Sequence, residues 1–120
     1  MEGQAYLQHW PLIRQVLQDH IDSNKVRYSF HAGERMEERK ISKKAVEAVL
    51  YHYDPKEMHE AQKYPFGEHP FTNIDPVLTV VGDFDHRTIA VGLAIKRRKQ
   101  GIIFTVVTVM RPERGRHVVQ

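Results

Sequence analysis

A chain of 120 residues has room for one hydrophobic core, and its 41% hydrophobic and 28% charged residues are ordinary globular usage, which excludes a disordered or fibrous class. The absence of cysteine excludes a disulfide framework, a thiolate zinc site and a cysteine nucleophile. The net charge of +3 is unevenly split: residues 1–76 carry 10 basic against 12 acidic side chains, residues 77–120 carry 8 against 3, and seven of those eight fall between Lys96 and Arg116.

An imbalance of this kind draws polyanions to one end of a molecule, although a solvated basic turn produces the same count. Met1 to Gln8 lack a basic start followed by an apolar run, and no stretch approaches the ~20 apolar residues of a membrane span. The expectation is a cytoplasmic protein without a membrane partner, folded as one domain over residues 1–120.

From Ala5 to Ile21 the residues Leu7, Trp10, Leu12, Ile13, Val16, Leu17 and Ile21 recur at spacings of three and four, which predicts an amphipathic helix with Pro11 near its first turn or kinking it. Val26 to Ser29 reads as a short extended piece, and Ser29 is placed to cap a helix over His31 to Arg39. A longer helix follows from Lys43 to His52, with Ser42 as its cap and Asp54-Pro55 as its stop. Met58 to Phe66 is ambiguous, and Pro65 to Pro76 is rich enough in turn residues to predict a long loop.

After Pro76 the texture is that of strands: Val77 to Asp83, Thr88 to Ile95 and Ile102 to Met110 are rich in Val, Ile and Thr. Their short connections predict antiparallel neighbours, and the last strand, apolar on both faces, predicts a central position covered on both sides. Helices first and a meander of strands afterwards give an α+β fold, two or three helices packed as one layer on an antiparallel sheet.

His31, Arg35 and Arg39 stand at i, i+4 and i+8, one row on a helix. Two readings are open. In one, the arginines hold a phosphate and His31 moves a proton, since imidazole as a residue type titrates near neutral pH. In the other, Arg35 pairs with Glu38 and Arg39 with a carboxylate such as Glu47, as ordinary ion pairs. The turn Lys96-Arg97-Arg98-Lys99 and the tail Arg111, Arg114 and Arg116 form a second basic constellation, suited to gripping phosphates or simply to solubilising a hairpin.

Eight histidines offer no HxxxH, HxH or HExxH spacing, so no metal site is expected. Asp83 and Asp85 read as turn formers rather than a catalytic carboxylate pair. No phosphate-binding loop, dinucleotide-binding glycine pattern or serine nucleophile elbow is present.

The string Tyr28-Ser29-Phe30-His31-Ala32, then Arg35-Met36, then Glu38-Arg39-Lys40-Ile41-Ser42, with Val46 and Val49-Leu50 after it, resembles the bacterial domain of unknown function 4258 family. The closing run Val106 to Pro112 resembles that family's last strand, with Met110 where an aromatic is usual. The resemblance implies a RelE-like or barnase-like toxin fold, helices on a curved antiparallel sheet. It places a site at His31, Arg35, Arg39 and Thr108.

The function this implies is a small, metal-independent ribonuclease without cofactor, cleaving RNA through attack of a 2′-hydroxyl. Lys96, Arg97, Arg98, Lys99 and Arg111 would then hold RNA. The rival expectation is a non-catalytic module on the same fold. It would bind nucleic acid, an antitoxin or another protein, the last through the N-terminal helix and the Pro65 to Pro76 loop. Trp10 suggests that the N-terminal helix forms either a homodimer contact or part of the core.

Overall fold

In a computed structural model of the chain, residues 2–67 and 69–112 are described. They form helices α1 (Glu2–Gln8), α2 (Trp10–Asp22), α3 (Phe30–Arg39) and α4 (Lys43–His52), and strands β1 (Arg27–Tyr28), β2 (Pro55–His59), β3 (Val77–Phe84), β4 (Arg87–Arg98) and β5 (Gly101–Met110). No helix among them is long and apolar enough to cross a membrane. The fold class is α+β, as the order of elements predicts.

The single N-terminal helix expected over Ala5 to Ile21 is two helices broken at His9, whose φ of −110° and ψ of 28° leave the helical region. Pro11 is the cause consistent with this break: it has no N–H to give to a preceding turn, and it sits in the first turn of α2, where none is needed. Trp10 belongs to the core, 7% exposed, with Nε1 donating to Asp54 Oδ1.

Both later helices start where their serines predict. Ser29 Oγ accepts from Ala32 N, and Ser42 Oγ accepts from Ala45 N. Helix α3 ends at Lys40, left-handed with φ of 55°, and Ile41 N donates to Met36 O across that corner.

The sheet runs β1-β5-β4-β3-β2. From β2 to β5 every pairing is antiparallel, but β1 lies parallel to β5, with Arg27 opposite Thr105 and Tyr28 opposite Val106. The sheet is therefore mixed at one edge, which corrects the purely antiparallel expectation. The segment joining β1 to β5 contains two helices and three strands, ample length for a parallel return.

Strand β2 was not anticipated. Its sequence Pro-Lys-Glu-Met-His lacks β-branched residues, and its proline takes the first position of an edge strand, where a missing N–H costs no ladder bond. Strands β4 and β5 also run further than expected, taking in Lys96 to Arg98 and leaving only Lys99 and Gln100 as the turn. Asp85 and His86, both at positive φ, make the other two-residue turn, and Asp83 Oδ1 accepts from Thr88 Oγ1 beside it.

One face of the sheet carries the main core. Leu17, Val46, Val49 and Leu50 from the helices pack with Leu78, Val80, Val91, Leu93, Phe104 and Val106. The opposite face carries a smaller cluster of Val77, Ala94 and Tyr64, with Phe66 and Val107 against it. Tyr64 and Phe66 come from the long connection after β2, so that loop partly covers the second face.

Candidate functional site

The site is built on a row that crosses the second face. Thr79 on β3 lies opposite Gly92 on β4, and Gly92 opposite Thr108 on β5. A Cβ at Gly92 would overlap both Thr108 Oγ1 and Tyr64 Oη, so the glycine opens the space that these two hydroxyls fill. They share a buried hydrogen bond of 2.5 Å. Burial raises the Tyr64 phenol pKa, opposed by the Thr108 hydrogen bond, and the group stays a neutral hydroxyl. Its ring meets His59 and Phe66 edge-on, each at 5.5 Å.

A register shift on β4 and β5 next to Gly92 breaks the alternation there and sets Thr108 against Gly92. The start of α3 is tied to the same stretch of β5. Ser29 N donates to Val106 O at 2.9 Å, and Ser29 Oγ donates to Val107 O at 3.4 Å. These bonds bring His31, in the first turn of α3, to the wall that Thr108 forms. Nδ1 of His31 is buried and has no hydrogen-bond partner.

Two depressions meet at His31, Phe66, Gly67 and Thr108. The first, about 300 Å³, extends past Tyr64 toward Phe30, His69 and Thr72. The second, about 410 Å³, extends along α3 past Arg35 and Arg39 to Val109 and Met110. All four residues expected at the site, His31, Arg35, Arg39 and Thr108, therefore line one hollow.

The two arginines are held differently. Arg35 Nη1 lies 2.8 Å from Glu38 Oε2, and that carboxylate is 61% exposed, so the pair is a weak surface bridge that a phosphate can displace. Arg39 Nη1 donates to the backbone carbonyl of Val109 at 2.7 Å and clamps α3 to β5. It does not pair with Glu47, whose Oε2 instead accepts from Tyr28 Oη. At the end of α3, Arg111 Nη2 donates to Arg39 O and Arg87 Nη2 to Lys40 O, satisfying terminal carbonyls.

The basic hairpin is not part of this hollow. Arg98 stands opposite Gly101, seven residues along β5 from Thr108, which is roughly 24 Å at strand rise. Lys96 is half-buried and Arg97, Arg98 and Lys99 are exposed at that distant tip. Arg114 and Arg116 lie outside the described residues. Among the described residues no group of three or more His, Cys, Asp or Glu side chains is placed to hold a metal ion.

Tyr64, Phe66, Gly67 and Gly92 escape the sequence reading. Gly92 alone left a trace, as a glycine inside an otherwise apolar strand, the mark of a close approach by another group. Tyr64 sits in an aperiodic stretch where neither helix nor strand spacing singles it out.

A family described as Domain of unknown function (DUF4258) matches residues 28–111, more than half of the chain. The chain belongs to that family. The DUF4258 match starts at Tyr28, the second residue of β1, and takes in α3, α4 and β2 through β5, with every residue of the hollow; α1 and α2 precede it. No curated protein and no solved structure matches the chain.

Proposed function

We propose that the protein is a small endoribonuclease of the toxin type that works without a metal ion. The observation that carries the reading is the placement of His31, its buried Nδ1 unpartnered, where two depressions join beside Thr108, Arg35 and Arg39. In the reaction a base takes the proton of a ribose 2′-hydroxyl and the oxygen bonds to the adjacent phosphorus. The bond to the 5′-oxygen then breaks, and an acid returns a proton to that oxygen, leaving a 2′,3′-cyclic phosphate and a 5′-hydroxyl. His31 serves as base or acid. Arg35, released from Glu38, and the remaining N–H groups of Arg39 stabilise the extra negative charge at phosphorus.

A second reading rests on the arginine contacts. With Arg39 clamped to Val109 and Arg35 bridged to Glu38, the same hollow serves a binding module that holds nucleic acid or a protein partner, such as an antitoxin, without chemistry. Incubation of end-labelled RNA with the purified protein, with and without EDTA, separates the two. Cleavage that survives EDTA and disappears in folded His31→Ala supports the nuclease. Intact RNA that the wild-type protein retains in a salt-sensitive complex supports the binding module.

A further inference from the structure

Phe30 is the most exposed large apolar side chain among the described residues, at 81%, and it stands on the wall of the smaller depression. A lone exposed ring on a protein surface carries no meaning by itself. Its surroundings supply the argument. Phe30 is the first residue of α3, whose start is pinned to β5 through Ser29 N and Ser29 Oγ, so the ring is presented from an anchored backbone. The same depression holds His31 and the Tyr64–Thr108 hydroxyl pair, and Phe66 lines it as well. The cation of Arg35 lies one helical turn beyond His31.

An aromatic face open to solvent, next to hydroxyls, an imidazole and a displaceable arginine, matches the two halves of a nucleotide: a flat base and an anionic backbone. We infer that Phe30 is a stacking platform for one unpaired base, and that the hollow takes single-stranded rather than duplex RNA. The inference rests on the nucleic-acid reading above and adds the substrate class to it. In a duplex the base faces are already stacked within the helix, so a ring at the protein surface has none to meet. Every base has a π-face, so the subsite tolerates any base and does not select sequence.

The test uses the full chain and three oligonucleotides of equal length, each with a fluorescent end label: single-stranded DNA, its duplex, and an abasic strand with the same phosphates. None has a 2′-hydroxyl, so binding is read independently of cleavage. Wild type is expected to bind the single strand more tightly than the duplex or the abasic strand. Phe30→Ala, checked for folding by circular dichroism, is expected to weaken single-strand binding about tenfold or more, the range of base–aromatic stacking, and to leave abasic binding unchanged. Phe30→Trp is expected to restore affinity, with indole emission quenched on binding. Equal affinity of wild type and Phe30→Ala for the single strand overturns the base subsite while sparing the nucleic-acid reading. Failure of the wild type to bind any of the three strands, together with intact RNA in the cleavage assay, overturns both.

Discussion

The two faces of the sheet are built on different principles. On the helix face Leu78, Val80, Val91, Leu93 and Phe104 meet Leu17, Val46, Val49 and Leu50, all fully buried and none with a polar side-chain atom. On the loop face Thr79, Gly92 and Thr108 form a row of small and hydroxyl-bearing positions, closed by one tyrosine from a loop. The large apolar side chains are concentrated on the first face and the candidate site on the second. An alternating strand allows this because successive residues report to opposite sides.

Four substitution experiments, in falling order of effect, and one titration press on that division. Leu50→Ala, in the middle of the helix face, is expected to cost about 2–5 kcal/mol in urea unfolding, since the surrounding elements cannot close the void. Gly92→Ala is expected to cost about 1–3 kcal/mol, because the new methyl must displace the Tyr64 and Thr108 hydroxyls; it should also remove RNA binding or cleavage. An intact site in Gly92→Ala would show that the row does not organise the hollow.

Thr108→Val keeps the shape and removes one hydroxyl, leaving the Tyr64 hydroxyl buried without its partner, for an expected loss of about 1–3 kcal/mol. In the double variant with Tyr64→Phe much of that loss should return. The arginines give the smallest effects and the clearest contrast. Arg39→Ala should destabilise by roughly 1 kcal/mol through the lost bond to Val109 O, whereas Arg35→Ala should stay within about 0.5 kcal/mol and affect RNA handling alone.

The helix face also carries a pH signature. Tyr28 and Tyr6 have phenol pKa values raised mainly by burial and further by Glu47 and Glu2, which accept their hydrogen bonds. A raised folded value favours the neutral phenol in the native state. That contribution is present in full below the unfolded value of about 10 and is lost as pH rises through the folded values. Melting temperature should therefore be insensitive to these groups at neutral pH and fall in the alkaline range, less steeply in Tyr28→Phe.

What the sequence disclosed depended on whether the information was local. Ser29 and Ser42 mark their helices because a capping hydroxyl acts on an N–H three residues away. The β-branched runs of β3, β4 and β5 announce themselves, and His31, Arg35 and Arg39 share a hollow because one helix carries all three. Strand β2 stayed hidden because it is recruited by its neighbour β3, not by its own composition. The parallel pairing of β1 and the approach of Tyr64 to Thr108 join positions far apart in the chain, and no periodicity encodes them.

The bond from Ser29 Oγ to Val107 O spans 78 residues of sequence and fastens the helix of His31 to the last strand. Contacts of such separation close late in folding, after the local helices and hairpins have formed. During synthesis a chain emerges from its N-terminus, so His31 is made well before its counterpart Thr108. The hollow therefore cannot assemble until β5 has emerged and met the start of α3, so its formation is timed by the topology itself.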